Sequence, residues 1–318
     1  MADETCTRDV SLIVCTRDRL ESLRRTIEAL GRLHIPDGMT AELVVIDNGS
    51  TDGTAAYLKV ASCAAMDIRT ETEAHPGLSW ARNKALGVAR GRVLVWTDDD
   101  VVPDPAWLER LTAPLLRGEA DAAAGAVLIP VAHRERLKGT PLENYTGFVA
   151  ATDDIRWDAP GRMVGANMAF AAKVLEKVPQ FDECLGAGPE SMGFHEETLF
   201  AWQLIDAGYR LVGVPDATVT HEFDVSRLDA AAILRMARRI GRSDAYVEWH
   251  WLHLPPKRLL MLRKLKTIVK RRLERLFRIG PRVSESEFRE AWSLAYYDEL
   301  SQCMRQPRKY RRALAKPE

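Results

Sequence analysis

The chain has 318 residues, of which 46% are hydrophobic and 28% are charged, and its formal net charge is zero. This composition excludes a disordered or collagen-like protein, and the length predicts two units or one large α/β domain with an appendage. The five cysteines are scattered and form no C-x-x-C pair, which argues against a disulfide framework and a thiolate zinc site. We recognise no signal peptide and no apolar run of membrane-spanning length, so we expect a cytoplasmic chain.

The first 130 residues alternate short apolar runs with segments of helical spacing. Strands are predicted at 10–15, 43–46 and 93–96, with a weaker run near 67–70, and helices are predicted between them. This alternation predicts a mostly parallel sheet with helices on both faces, in which ligands bind beyond the carboxyl ends of the strands. The residues that follow each run are therefore the first candidates for a functional site.

The segments after the first two strands carry different information. Cys15-Thr-Arg-Asp-Arg19 contains none of the glycines of a G-x-G-x-x-G turn, and no G-x-x-x-x-G-K-S/T sequence occurs in the chain. A dinucleotide-dependent oxidoreductase and a P-loop phosphotransferase are therefore not supported. After the second strand, Asp47 begins an Asn-Gly turn. Its carboxylate could accept the imide N–H of a uracil or thymine ring, or the segment is simply a strand-to-helix turn.

Three consecutive aspartates, Asp98, Asp99 and Asp100, follow the strand at 93–96. Neighbouring carboxylates repel one another, so such a cluster usually requires a cation. Alternate residues of an extended chain point the same way, so Asp98 and Asp100 are predicted to face one Mg²⁺ or Mn²⁺ ion while Asp99 faces away. A solvated acidic loop that caps the next helix is the alternative.

The ordered set of motifs resembles the family 2 glycosyltransferases, which have the GT-A fold, over roughly residues 9–223. The motifs that carry the resemblance are Ser11-Leu-Ile-Val-Cys-Thr-Arg-Asp-Arg19, Val45-Ile-Asp-Asn-Gly-Ser-Thr-Asp-Gly-Thr54, Gly77-Leu-Ser-Trp-Ala-Arg-Asn83, Thr97-Asp-Asp-Asp100, Gly165-Ala-Asn-Met-Ala-Phe170, Phe181-Asp-Glu, Glu196-Glu-Thr, Ala207-Gly-Tyr-Arg and Pro215-Asp-Ala-Thr-Val-Thr-His221. The fold class expected is therefore α/β of GT-A type, with a Rossmann-like, mostly parallel sheet flanked by helices and a C-terminal helical extension.

The resemblance implies an inverting transferase that moves a sugar from a UDP- or dTDP-linked donor to a hydroxyl group. The acceptor expected is a glycan, a glycolipid or a lipid-linked molecule of cell-surface polysaccharide synthesis, and no nucleic-acid partner is expected. By the resemblance, donor contacts fall on Thr16, Asp47, Asn48, Arg82, Asp98 and Asp99, and the acceptor side includes Gly165 and Asn167. It places the metal site at Asp98, Asp100 and His221, although a structural role for His221 is equally open.

A second acidic pair, Glu196 and Glu197, begins an apolar helix. The helix N-terminus keeps a carboxylate ionised, as a general base must be. Adjacent helical residues point about 100° apart, so only one of the two can aim into a given cleft. The resemblance assigns the base to Glu197 and leaves Glu196 as the other candidate. The family usually has Asp at the second position, so the longer Glu197 is a departure.

We predict a GT-A domain at 1–225 and a helical extension at 226–318. Within the extension, the amphipathic segment 257–278 carries ten Lys or Arg against one Glu. Such a segment is typical of a helix that binds an anionic membrane surface, which would place the protein peripherally at the inner face of the cell membrane. The alternative is a basic helix that packs on the acidic body of the protein.

Two rival functions follow from the same residues. A sugar-1-phosphate nucleotidyltransferase shares the general fold, but it requires a Gly-rich, Arg-containing loop after the first strand, and residues 15–19 provide none. A catalytically silent, membrane-docked scaffold is disfavoured because Asp98, Asp100 and Glu197 are all present.

Overall fold

The computed structural model describes residues 6–255, 262, 266 and 283–311. Within these residues the chain forms one eight-stranded mixed sheet of order β3-β2-β1-β4-β7-β6-β8-β5, flanked by helices. The strands are β1 (Arg8–Thr16), β2 (Ala41–Asp47), β3 (Asp67–Thr72), β4 (Gly91–Thr97), β5 (Val101–Pro103), β6 (Ala122–Leu128), β7 (Met168–Ala171) and β8 (Leu211–His221). The helices are α1 (Leu20–Leu30), α2 (Thr54–Leu58), α3 (Leu78–Val88), α4 (Trp107–Leu116), α5 (Val131–Leu137), α6 (Glu196–Asp206), α7 (Ala230–His250) and α8 (Glu285–Cys303).

The predicted α/β fold is confirmed. The first four strands form a half of the sheet that is parallel throughout, and β6 and β8 in the other half also pair in parallel. β1 pairs in parallel with β2 on one side and β4 on the other, and β2 pairs in parallel with β3. The register sets Thr16 beside Asp47 and Val14 beside Thr97, so three strands end at one edge of the sheet. The loops that carry the predicted motifs therefore meet there.

The other half of the sheet is mixed. β7 runs antiparallel to both β4 and β6, and β5 runs antiparallel to β8. The sequence predicts two short strands at 210–214 and 217–221, whereas the structure has one strand with a register shift opposite Gly125 and Ala126. Proline has no N–H to donate, and the exposed Pro215 lies where the ladder is interrupted. The predicted break is thus a bulge in β8.

Both faces of the sheet are buried, as expected for parallel strands covered by helices. Successive residues of a strand point to opposite faces, and β1 sends Leu12 and Val14 into one apolar cluster and Ile13 into the other. β4 divides in the same way, with Val95 in the first cluster and Trp96 in the second. These rigid layers hold the strand ends, and hence the loops beyond them, in fixed positions.

The two helices of the extension, α7 and α8, pack on each other and on the body. Ile233 and Phe288 share one buried cluster with Val149 and Phe223 of the body. The sequence predicts a capping box at the start of α8, and the structure confirms it, because Ser284 Oγ accepts the backbone N–H of Glu287. The extension therefore shares buried core with the body.

The basic segment 257–278 lies outside the described residues, apart from Leu262 and Lys266. Its predicted helix and membrane contact are therefore left as predictions. Among the described residues, no helix is both long enough and apolar enough to cross a membrane.

Candidate active site

A cavity of about 1170 Å³ opens at the carboxyl ends of β1, β2 and β4. Most of the residues predicted from sequence line it, although they come from distant parts of the chain. They are Thr16, Asn48, Arg82, Asp98, Asp99, Asp100, Gly165, Glu196, Glu197 and His221. Asp47 and Asn167 are not among the lining residues. The cavity holds two acidic groups, one after β4 and one at the start of α6.

The first acidic group consists of Asp98, Asp100 and His221. One ligand atom from each lies within 4.8 Å of the others, a spacing that would allow all three to hold one metal ion. Asp100 and His221 are buried, and the last residue of β8 is His221 itself, which pairs with Val101 of β5. The short strand β5 therefore brings the histidine to the aspartates.

Hydrogen bonding at His221 tests whether a cation fits this site. Nδ1 lies 3.0 Å from the carbonyl oxygen of Val149, which can only accept, so Nδ1 carries a proton. Nε2 then faces Asp100 Oδ1 at 3.1 Å, and that buried oxygen has no hydrogen-bond partner among the described residues. The contact is satisfied only when positive charge lies between the two atoms, either a proton on Nε2 or a metal ion. The residues thus fit a divalent cation.

The charges around Asp100 keep it ionised. Burial alone would raise its pKa, but the contact with His221 and the Arg19 guanidinium, whose Nη2 lies 2.5 Å from Oδ2, hold the pKa of Asp100 below its usual range. Burial and the nearby Asp100 raise the pKa of Asp98. The pair is therefore poised for a cation that would relieve the repulsion between them.

Asp99 is not part of the group of Asp98, Asp100 and His221 whose ligand atoms lie within 4.8 Å of one another. It accepts a hydrogen bond from Thr16 Oγ1 at 2.7 Å and lies 3.2 Å from Nη1 of Arg19. Burial raises the pKa of Asp99 to about 7 despite the nearby guanidinium. The side chains of Thr16 and Asp99 therefore bind each other, and together with Arg19 they join the loops after β1 and β4.

The predicted base-contact residues shape the loop after β2. Asp47 is buried, and its Oδ1 accepts the backbone N–H of Ser50 at 2.9 Å. Asn48 donates to the carbonyl oxygens of Glu73 and His75 and accepts the N–H of Gly77 at 2.7 Å. These bonds fix the loops that follow β2 and β3 at the edge of the cavity. Asn48 lines the cavity, whereas Asp47 does not.

The second acidic group is a buried ion pair with a neighbouring carboxylate. Glu196 Oε1 lies 2.9 Å from Nη1 of Arg82, which projects from α3. Burial and the adjacent Glu197 carboxylate raise the pKa of Glu196 to about 8, and Arg82 partly offsets this. Glu197 is less buried, and its Oε2 has no hydrogen-bond partner among the described residues. Of the pair, Glu197 is thus the one with an oxygen that has no partner among the described residues, while its side chain also interacts with that of Glu196.

Gly165 is required where Arg82 passes it. A Cβ atom built on Gly165 would lie 2.0 Å from Arg82 Nη2, far inside any real contact. The glycine predicted to lie on the acceptor side therefore borders the cavity and also makes room for the guanidinium that pairs with Glu196.

Asn167 occupies a different place from the one expected. Its side chain donates to the carbonyl oxygens of Ala126 and Ala217 and accepts the indole N–H of Trp107, each at 2.8 Å. It is fully buried, and these bonds join β6, β8 and α4 behind the site. We therefore leave it out of the acceptor side that we propose.

The extension positions the helix that carries the glutamates. His195 precedes α6 with a positive φ of 74°, and its Nε2 lies 2.6 Å from Asp244 Oδ1 on α7. The indole N–H of Trp292 on α8 donates to the other oxygen of Asp244. A non-glycine residue at positive φ is strained, so this network fixes the start of α6 in place.

Sequence reasoning singled out Arg82 but not the five other arginines that line the cavity, which are Arg17, Arg19, Arg25, Arg227 and Arg239. Arg19 lies inside a quoted motif, but its contact with the aspartates depends on the fold. Arg227 and Arg239 belong to the region that is predicted to form the extension. A basic residue beside a matched motif is the signal that could have pointed to Arg227, six residues after His221.

Comparison with known proteins agrees with this architecture. The sequence pattern of the family described as Glycosyl transferase family 2 matches residues 11–178, more than half of the chain. A glucosyl-3-phosphoglycerate synthase of Mycolicibacterium paratuberculosis is 29% identical over 35% of this chain and 35% of its own length. A pre-mycofactocin glycosyltransferase of Mycobacterium tuberculosis is 24% identical over 68% of this chain and 43% of its own length. The chain thus spans less than half the length of either relative.

A solved structure with the same fold is the mannosyltransferase PcManGT from Pyrobaculum calidifontis, in complex with GDP-Man and Mn²⁺. It superposes with a TM-score of 0.56 at 18% identity and covers 94% of this chain and 73% of its own. This likeness confirms the GT-A fold class.

Proposed function

Because the chain belongs to glycosyl transferase family 2, we propose that it transfers a sugar from a nucleotide-sugar donor to a hydroxyl group of an acceptor. The observation that carries the proposal is the grouping of Asp98, Asp100 and His221 in a cavity that also contains the carboxylate of Glu197. This arrangement provides a site for the leaving group and a base for the nucleophile.

Asp98, Asp100 and His221 would hold Mg²⁺ or Mn²⁺, because oxygen and imidazole ligands suit these ions. When bound, such an ion neutralises the negative charge that a departing nucleoside diphosphate accumulates. The 3.1 Å contact between His221 Nε2 and Asp100 Oδ1, an oxygen with no hydrogen-bond partner among the described residues, supports this assignment. Arg19 would release Asp100 to the ion as it binds.

Glu197 is proposed as the general base. Glu196 is committed to Arg82 and holds a proton more readily, whereas Glu197 borders the cavity with an unpartnered oxygen. Glu197 would take the proton of the acceptor hydroxyl. The oxygen of that hydroxyl would bond to the anomeric carbon while the bond from this carbon to the diphosphate breaks, and the nucleoside diphosphate would leave. A single displacement of this kind inverts the anomeric centre, and inversion is part of the proposal.

The donor is proposed to be UDP- or dTDP-linked, and the acceptor a glycan, glycolipid or lipid-linked molecule. The residues proposed to contact the donor are Thr16, Asp47, Asn48, Arg82, Asp98 and Asp99. The basic segment 257–278 supports a membrane-proximal acceptor in cell-surface polysaccharide synthesis, because cationic amphipathic segments bind anionic leaflets. Flotation with anionic liposomes at low salt should recover the full chain, and it should fail when five of the segment's basic residues are changed to Gln.

The proposed reaction is tested by a donor-hydrolysis assay with UDP-, dTDP- and GDP-sugars, with Mn²⁺ and with a chelator. Release of nucleoside diphosphate should require the metal and should be lost in Asp100→Asn, whereas Asp67→Asn, an exposed aspartate at the sheet edge, should behave as the wild type. Consumption of a nucleoside triphosphate with a sugar 1-phosphate would instead support a nucleotidyltransferase. No turnover with any donor would support the scaffold.

A further inference from the structure

Arg227 is a half-buried cation that lines the cavity, and its side chain forms no ion pair with a described residue. It lies in a short 3₁₀ helix, Val225–Leu228, between the end of β8 and the start of α7. Its guanidinium lies 5.6 Å from the ring centroid of Phe223, and no hydrogen bond or ion pair joins its side chain to another described residue. Removing an unpaired charge from water costs free energy, even when the burial is partial. We therefore expect the Arg227 guanidinium to bind an anion in the functioning protein.

The other arginines beside the acidic groups differ from Arg227. Arg82 pairs with Glu196, and Arg19 contacts both Asp99 and Asp100. Burial lowers the pKa of Arg227, the charges of Asp100 and Asp98 favour its charged form, and Arg19 opposes it. Arg227 is therefore close enough to the proposed metal site to interact with it electrostatically, but it donates no hydrogen bond to Asp98 or Asp100.

The balance of charge indicates which ligand is missing. The charged groups that act on Arg227 are the carboxylates of Asp98, Asp100 and Asp224 and the guanidinium of Arg19, so three negative charges face two positive ones when Arg227 itself is included. With all three carboxylates ionised, a divalent ion would turn this small negative excess into a positive one. The metal-loaded site would then attract an anion, and the diphosphate of a nucleotide-sugar is the anion that the proposed function brings there.

We propose that Arg227 binds the diphosphate of the donor and that the C-terminal extension thereby completes the active site. The assignment rests on the proposed function, because the diphosphate belongs to the nucleotide-sugar. A guanidinium offers several N–H donors to phosphate oxygens in fixed geometry, and these bonds strengthen as negative charge develops on the leaving group. Arg227 would thus add to donor affinity and to the rate of transfer.

The test is calorimetry of nucleoside diphosphate binding in Mn²⁺ to the full chain and to three variants. UDP, dTDP and GDP are titrated into the wild type, Arg227→Gln, Arg227→Lys and Arg238→Gln. Arg227→Gln should weaken diphosphate binding by about 10- to 100-fold, and Arg227→Lys should restore part of it. Arg238 is exposed on α7 and does not line the cavity, so Arg238→Gln should leave binding unchanged.

Two further measurements separate the assignment from a structural role. Binding of the corresponding nucleosides, followed by saturation-transfer NMR, should not change in Arg227→Gln. Binding of Mn²⁺ alone should stay equal or become tighter, since a neighbouring positive charge has been removed. Loss of folding alone would weaken all three ligands together, and Arg227→Lys, which keeps the charge, provides a folded variant for the comparison.

The outcomes are distinguishable. If the wild type binds diphosphates and Arg227→Gln binds them within twofold of it, the assignment is wrong while the proposed function stands. A variant that binds diphosphates normally but shows a raised KM for acceptor overturns the assignment in favour of an anionic group on the acceptor. If the wild type binds no nucleoside diphosphate with Mn²⁺, the proposed function fails first.

Discussion

The two acidic groups of the cavity differ in the origin of their positive charge. Glu196 and Glu197 have a cation built into the fold, because Arg82 is buried beside them and pairs with Glu196. Asp98 and Asp100 have Arg19, which is about one-third exposed, and a histidine whose Nε2 faces an unpartnered carboxylate oxygen. One group has its cation within the chain, whereas the other leaves a carboxylate oxygen without a hydrogen-bond partner among the described residues and is the group for which we propose an added cation.

This difference teaches which chemistry each side can perform. A side chain that contacts a buried guanidinium, as Glu196 contacts Arg82, is suited to hold its neighbour in place, and Glu197 is the residue that we propose exchanges a proton. A site such as that of Asp98 and Asp100, whose positive charge would be a metal ion taken from solution, can bind an anionic ligand together with that ion. Variants of the two groups should therefore fail in different ways.

The largest effect is expected at Glu197. Glu197→Gln keeps the size of the side chain and removes the base, so turnover should fall by about 10²- to 10⁴-fold while binding of nucleoside diphosphate is retained. Steady-state transfer or donor hydrolysis measures the rate, and calorimetry measures the binding.

Glu196→Gln is the matched control for this prediction. It leaves Arg82 beside a neutral partner, so above pH 8, where Glu196 is ionised, the free energy of unfolding should fall by about 1–3 kcal/mol, with less effect on turnover than Glu197→Gln. If Glu196→Gln abolishes turnover and Glu197→Gln is nearly normal, the two roles have been assigned in the wrong order.

The next effect is expected at Asp100. Asp100→Asn removes one of the charges that face the proposed ion, and loss of a direct ligand should weaken Mn²⁺ binding by at least the roughly 10- to 100-fold typical of outer-shell partners. Calorimetry with Mn²⁺ and thermal unfolding with and without chelator measure the change. Equal Mn²⁺ affinity in Asp100→Asn and the wild type would contradict the metal site.

Much of this site could be predicted because it lies at strand ends. A run of apolar residues fixes where β4 ends, and the alternation of an extended chain separates Asp99 from Asp98 and Asp100. Parallel pairing then brings the loops after β1, β2 and β4 to one edge of the sheet. None of these steps requires knowledge of long-range packing.

The rest depends on contacts between distant segments, which local pattern does not encode. Asn167 lies in a matched motif, but its side-chain amide is hydrogen-bonded to β6, β8 and Trp107. Arg227 follows the last matched motif, and only the packing of the extension on the body turns it toward the cavity. In both cases the residue type was visible in the sequence, whereas the position of the side chain relative to the cavity was not.

The smallest effect concerns the fixed cation of the second group. Gly165→Ala would place a Cβ atom 2.0 Å from Arg82 Nη2, so the guanidinium that bonds to Glu196 through Nη1 must shift. Overpacking of this kind typically costs about 1–3 kcal/mol of unfolding free energy.

Gly87→Ala, in the same helix as Arg82, is the matched control, because a Cβ atom there meets nothing within 4 Å. Alanine favours a helix over glycine, so this variant should gain about 0.5–1 kcal/mol. Denaturant unfolding compares the two variants. If Gly165→Ala is as stable as Gly87→Ala, Arg82 can move away from Glu196 at little cost in free energy. The two acidic groups would then not differ in having a cation that the fold holds in place. A destabilised Gly165→Ala with unchanged Mn²⁺ affinity would show that the two groups are held independently, the second by packing within the chain and the first by the ion it binds.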